Sequence, residues 1–336
     1  MQQVADTAGV SLTAVSHILG ARAGRGYAAT TVTQVQAVAK RLGFRPNAAA
    51  KAVSSGRFST VLLLQDATGE RTLLSPHFIL GLTGRLGVAG YRLTVAAIDD
   101  REVAAGGVTT VLDHIHADAV VANYHTELPA ELRMTLSKAR LPVVWVNRQD
   151  APIAVLSDDE AMGRTATTLL LAKGHRRIAY LDPWLNVDRP RTHHSQQRRY
   201  HGYVQAMGTA GCAPQVWTSP PADGRGPDFM LGYRARLASA QRPTAVITAI
   251  PPWSLLEAAA GLGLVFPYDL QVISLSDAFP MSDRMVSHVC HDWRAIGEAA
   301  GELALGCLES PMRRRQRLIP PLVLDYSWPG EDAPRT

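Results

Sequence analysis

The chain opens with apolar residues spaced as on helices. Val4–Ala8 reads as a short helix, Gly9 as the positive-φ residue that ends it, and Ser11 as the cap of the next. Over Leu12–Leu19 the spacing puts Val15, Ile18 and Leu19 on one face. Leu12, Thr13, Ser16 and His17 fall largely on the other. A third helix is expected over about Thr31–Leu42, where Val32, Val35, Val38, Ala39 and Leu42 recur before Gly43 closes it. Two short helices joined by a glycine turn, with a third completing one core, make a helix-turn-helix, whose second helix can enter a major groove. Pro46 breaks the pattern. The Ala-rich stretch 47–56 reads as a helix too short to stand alone.

From Val61 the pattern changes to short unbroken apolar runs alternating with helical spacing. Strands are expected at Val61–Leu64, Arg92–Ala97, Ala119–Val121, Val143–Val146, Ile178–Leu181, Ala245–Ala249 and Leu270–Leu275, with a last one at Leu322–Tyr326. Helices are expected at Phe78–Ala89, Val103–His116, Ala130–Ala139, Ala161–Lys173, Arg198–Gly208 and Leu255–Leu262. Strands alternating with helices imply parallel sheets covered on both faces. Two such series suggest a two-lobed body, with ligand bound in a cleft beyond the carboxyl ends of the strands.

The 336 residues suit two or three domains, and a 46% hydrophobic, 19% charged composition suits a folded chain. No run reaches the roughly eighteen apolar residues of a membrane helix, and Met1–Asp6 does not open an export signal. Three distant cysteines (Cys212, Cys290, Cys307) argue for a reducing cytoplasm over a disulfide framework or a zinc site. Charge sharpens the picture. Residues 1–60 carry seven Lys/Arg (Arg22, Arg25, Lys40, Arg41, Arg45, Lys51, Arg57) against Asp6 alone, a net +6, while the remainder holds 27 bases and 28 acids. A basic head on a near-neutral body is the electrostatic footprint of a polyanion partner.

The motifs V-A-D-T-A-G-V-S-L-T-A-V-S-H-I-L, then T-x-x-x-V, then R-L-G-F-R-P-N-A-A-A-K-A-V resemble the headpiece of the lactose-repressor (LacI/GalR) family of regulators. The resemblance implies that Leu12, Thr13 and His17 read bases, and that Ser11 and Ser16 hold phosphates. It also implies a hinge helix carrying Asn47, Ala50, Lys51 and Val53 into a minor groove. His17 stands where the family has arginine, so its guanine contact would be single rather than bidentate. Val53 stands where the family has a leucine wedge, and a longer loop offers Arg22 and Arg25 to phosphates.

In the body, S-D-D-E-A-M-G-R-T-A-T-T-L-L-L-A-K-G-H-R-R-I-A-Y (Ser157–Tyr180) resembles the family's ligand-binding domain, itself similar to periplasmic sugar-binding proteins. The family's effector positions map onto His77, Phe78, Arg148, Asp158, Arg199 and Trp253, and Ser276 stands in place of a ligand-binding aspartate. His193, in a loop dense in donors, would border the cleft. Adjacent His193 and His194 do not converge on a metal, and no metal or cofactor is expected. Phe78 or Trp253 could stack on a ring, and Arg148 and Arg199 could clamp an anion. Plainer roles are open to three of these: Phe78 as core, Asp158 as a helix cap, Arg199 as an ion pair. Loss of the family's hydroxyl-pairing groups around Ile250–Pro252 and Ser276 suggests a less polar or more anionic effector than a neutral sugar. The run Arg313–Arg317 reads as a solvated face.

The expected architecture is a small all-α helix-turn-helix headpiece (1–45), a hinge helix and linker (46–59), and an α/β periplasmic-binding-protein-like body (60–336) with two doubly wound parallel sheets. Its N-lobe would take about 60–150 and 280–310, its C-lobe about 151–279 and 311–330. The expected function is an effector-responsive repressor binding a palindromic operator as a cytoplasmic homodimer, with no membrane contact. The alternatives are a solute-binding protein with a vestigial head and an α/β enzyme. Against the last, no nucleophile elbow, phosphate loop or dinucleotide fingerprint follows a strand.

Overall fold

The computed structural model describes residues 1–20, 26–44, 52, 56–67, 74–124, 129–185, 193–218, 229–276 and 286–325. Arg22, Arg25, Asn47, Ala50, Lys51 and Val53 lie outside the described residues, as does most of the stretch 47–56. The chain divides into two compact units. One comprises Met1–Thr72, Leu86–Val143 and Ala304–Pro311. The other comprises Leu73–Arg85, Val144–Leu303 and Met312–Thr336.

In chain order the elements begin α1 (Gln2–Ala8), α2 (Leu12–Leu19), α3 (Ala29–Arg41), β1 (Thr60–Asp66), α4 (Pro76–Val88), β2 (Arg92–Ile98), α5 (Asp100–Ala104) and α6 (Gly107–His114). They continue β3 (Ala119–Asn123), α7 (Ala130–Lys138), β4 (Val143–Val146), β5 (Ile153–Ser157), α8 (Asp159–Ala172), β6 (Ile178–Leu181), α9 (His194–Thr209) and β7 (Gln215–Trp217). The series ends α10 (Phe229–Leu237), β8 (Ala245–Thr248), α11 (Trp253–Ala260), β9 (Gln271–Ser274), β10 (Ser287–Cys290), α12 (Trp293–Glu309), β11 (Arg315–Ile319) and β12 (Leu322–Leu324). These strands form two mostly parallel sheets, with β12 running antiparallel to β10. An α/β fold with two mostly parallel sheets, joined to a helical N-terminal region, is what the alternating pattern predicts.

In the first unit, Val4, Ala5, Ala8, Val15, Ile18, Val35, Val38 and Ala39 close one core among α1, α2 and α3. Gly9 ends α1 at φ 63°, and the Ser11 hydroxyl caps α2 by accepting the Ala14 N–H at 3.1 Å. β1 lies between β2 and β3, with Leu62 level with Thr94 and Val120. The helix expected over Val103–His116 is instead two, α5 and α6. Gly106, left-handed at φ 82°, separates them, and Asp99 with Glu102 makes a capping box on the first. Where the chain enters β1, both oxygens of Asp118 are engaged. One accepts the Phe58 N–H at 2.9 Å and the other the Ser59 N–H at 2.7 Å. The Phe58 ring stacks on His116 at 4.9 Å, and Ser59 sits left-handed at φ 52°.

In the second unit a sheet runs β12-β10-β9-β8-β6-β7, and alternation along β6 shows why it is covered twice. Ile178 and Tyr180 join one core with Met162, Ala166, Leu170 and Tyr203. Ala179 and Leu181 join the other with Trp217, Tyr233, Leu255 and Ala258. β5, buried at all five positions, pairs with β4 and β11. The arginine run expected as a solvated face is in part strand. Arg315–Ile319 pairs with β5 as a sheet edge, Gln316 donates to the Gln149 and Ala151 carbonyls, and Arg317 pairs with Glu302. Charge suits an outermost strand because it discourages further pairing.

Candidate nucleic-acid interface and effector site

On α2 the core takes Ala14, Val15 and Ile18 and leaves Ser11, Leu12, Thr13 and Ser16 exposed, with His17 half-buried. Leu12 is 44% exposed, a large apolar side chain at the leading turn of a helix that no neighbour covers. That turn has no acidic residue, so its unpaired N–H groups and the helix dipole face outward toward any anion. Ser11 spends an oxygen lone pair on capping and keeps its proton for an acceptor. Lys40 and Arg41 are exposed in the last turn of α3. His17 Nδ1 lies 3.2 Å from the Tyr27 hydroxyl. All five sequence-predicted residues of α2 therefore lie on or beside one accessible face.

In the second unit two glycine crossings bring distant residues together. A Cβ at Gly163 would run into the Arg199 carbonyl and one at Gly202 into the Glu160 carbonyl, so α8 and α9 touch backbone to backbone. The same holds for α4 and α12, where Gly81 meets the Arg294 carbonyl and Gly297 the Phe78 carbonyl. The first crossing sets Arg199 Nε 3.6 Å from an Asp159 oxygen, and His291 Nε2 is 3.8 Å from the same oxygen. Asp159 is 1% exposed. Burial pushes its carboxyl up, but the adjacent His291 and Arg199, with His194, outweigh this and hold it below the usual range.

Asp182, buried at the end of β6, goes the other way. Burial raises its carboxyl, although nearby Arg199, the Trp184 N–H (3.1 Å) and Gln196 oppose the rise. Burial lowers His194. Tyr203 anchors α9 by donating to the Ile178 carbonyl and accepting the Gln215 N–H, both at 2.8 Å, and burial pushes its hydroxyl up to about 12.

The expected effector residues divide. Phe78 is fully buried and meets Trp293 edge-on at 6.5 Å, which is core packing. Asp158 caps α8 by accepting the Ala161 N–H at 3.0 Å. His193 caps α9 by accepting the Ser195 N–H, and its ring lies tilted against His194 with centroids 4.2 Å apart. Arg199 is an ion pair with Asp159. Arg148 follows left-handed Asn147, lies over the Trp145 ring at 5.7 Å and pairs with Asp150 at 3.0 Å. Ser276 bonds Ser274 at 2.6 Å. His77 and Trp253 are exposed, and among the described residues no side-chain hydrogen bond, ion pair or ring contact joins either to the Asp159 group.

Sequence reading missed Asp159, Asp182, His291 and Trp293. For the first three the available signal was ionisable residues within two positions of the ends of apolar strands, at Ser157, Leu181 and Cys290. Among the described residues no group of three or more His, Cys, Asp and Glu could hold a metal ion, and no helix is long and apolar enough to cross a membrane.

Residues 167–325 match the family model of periplasmic binding protein-like domains. Residues 75–221 match that of periplasmic binding proteins and sugar binding domain of the LacI family. The fold is thus that of periplasmic-binding-protein-like domains. Among curated proteins the chain is 29% identical to the HTH-type transcriptional regulator GntR of Escherichia coli K12, over 64% of this chain and 62% of that protein's length. It is 26% identical to the HTH-type transcriptional repressor PurR of Erwinia tasmaniensis, over 81% and 79%. These matches liken the chain to regulators of the LacI family. Solved structures agree on the fold. The CelR–cellobiose complex aligns with TM-score 0.63 and 21% identity over 96% of this chain and 98% of that one. The lac repressor dimer bound to operator and an anti-inducer aligns with TM-score 0.73 and 19% identity over 96% of both.

Proposed function

We propose that the chain is a sequence-specific DNA-binding transcription regulator, a cytoplasmic homodimer on a palindromic operator, acting by binding rather than catalysis. The observation that carries this reading is the uncovered face of α2, with Ser11, Leu12, Thr13 and Ser16 in the open over a closed three-helix core. Thr13 and His17 read base edges, Leu12 packs against them, and Ser11 and Ser16 bind phosphates. Arg22, Arg25, Asn47, Ala50, Lys51 and Val53 extend the contact. Fluorescence anisotropy on duplexes selected from a randomised pool tests it. Tight, salt-sensitive and sequence-dependent binding supports it, and equal affinity for selected and random duplexes ends it.

The second unit receives a small polar effector, with His77, Arg148, Arg199, Trp253 and Ser276 as the contacting set and Asp158, Phe78 and His193 as support. Arg148 and Arg199 each already have a carboxylate partner. A neutral polyol of the class that CelR holds as cellobiose is therefore the first to screen, and a sugar phosphate that displaces Asp150 or Asp159 the second. A ligand-dependent rise in thermal midpoint identifies the class, and no rise with either removes the effector part of the proposal.

A further inference from the structure

The geometry points to Tyr27 as a positioning residue that fixes the tautomer of His17, making His17 a reader of one hydrogen-bond acceptor on a base edge. This rests on the DNA-binding reading above.

His17 lies in the last turns of α2, half-buried, beside the open face that carries Leu12, Thr13 and Ser16. Its Nδ1 is 3.2 Å from the Tyr27 hydroxyl. The two rings are tilted by 59° with centroids 6.2 Å apart, so they meet through these heteroatoms and do not stack. Tyr27 stands just before the N-cap of α3, and its ring packs on the three-helix core together with Val10, Leu19, Val32 and Phe44. The fold, and not solvent, holds the phenol in place.

A phenol is a stronger acid than a neutral imidazole N–H, and an imidazole nitrogen is a stronger base than a phenol oxygen. The pair therefore settles with Tyr27 donating and Nδ1 accepting. The single proton of the neutral ring must then reside on Nε2, at the edge directed away from Tyr27. His17 thus offers one N–H and no acceptor. In a major groove that matches purine N7, guanine O6 or thymine O4 and rejects the amino groups of cytosine and adenine. An arginine at this position would need no such partner, because it has only donors. A histidine does need one, because without it either nitrogen can carry the proton and the ring can match a donor or an acceptor.

The test uses the full-length chain and the duplex it selects from a randomised pool, with every half-site position varied in turn. Tyr27→Phe keeps the ring in the core and removes the hydroxyl. It is expected to cut discrimination at one half-site position about tenfold, while the other positions hold within about twofold. In a His17→Ala background the same change is expected to do nothing, a coupling that a merely structural tyrosine would not show. Three results overturn the proposal: unchanged discrimination in Tyr27→Phe, an equal loss in both backgrounds, or an amino donor selected at the position His17 controls. NMR of the His17 ring nitrogens in the unaltered chain gives a check that does not depend on the variant folding: a proton on Nδ1 overturns the assignment, and a bare Nδ1 supports it. If the wild-type chain selects no duplex, the DNA-binding reading fails and takes this one with it. A selected duplex with unaltered discrimination sinks the Tyr27 assignment alone.

Discussion

The α2 face and the Asp159 group put polar chemistry to opposite uses. On α2 the side chains proposed to meet DNA are those the core leaves out, and they make few bonds within the chain. In the second unit the polar groups are inside: Arg199 meets Asp159 where two helix backbones touch, and His291 reaches the same carboxylate from just beyond β10. Open side chains can change without disturbing the core beneath them. Buried charges cannot, because removing one strands the others. The contrast separates affinity from stability: changes on α2 are expected to alter binding alone, and changes around Asp159 to alter folding first.

The largest expected effect is at the crossing itself. Gly163→Val forces the α8 and α9 backbones apart and is expected to cost about 4 kcal/mol or abolish folding, read from the urea midpoint. Asp159→Ala removes the buried carboxylate that faces Arg199 and His291 and is expected to cost about 3 kcal/mol by the same measurement.

The pH dependence has a definite sign at each carboxyl. Asp159 titrates lower folded than unfolded, so its contribution is full above the ordinary carboxylate range and is lost as pH falls through the folded value. Asp182 titrates higher folded than unfolded, so what its proton contributes is full below the ordinary range and is lost as pH rises to the folded value. Asp182→Asn is accordingly expected to be more stable than wild type at neutral pH, and Asp159→Asn to flatten the acid limb of the stability curve. On α2, Thr13→Ala is expected to lose about 1–2 kcal/mol of affinity at one base position with no shift in thermal midpoint. Ser16→Ala gives the smallest change, at most about 1 kcal/mol and equal for all duplexes. A shift in folding stability from either α2 variant would break the contrast.

The same contrast explains what could be read from the sequence. The helices of the headpiece are local objects, so the spacing of Val15, Ile18 and Val35 is enough to say which side chains stay outside. The strands of the body are legible for the same reason, being continuous apolar runs. The Asp159 group is not local. Its members come from the start of α8, the middle of α9 and just beyond β10, and the first two are joined by two glycines whose close approach leaves no periodic trace. Asp159 looks like any acid in a helix's first turn. Likewise β11 hid behind its arginines, because an edge strand with half its positions in solvent shows little hydrophobic signal.

One small contact has a mechanical consequence. Asp118 grips the two amides that immediately precede β1, with a different oxygen for each, and Phe58 is braced on His116. Tension or torque travelling down the chain toward residue 60 therefore meets no slack at that point. It is handed to the first residues of two neighbouring strands at once, because Asp118 itself leads into β3.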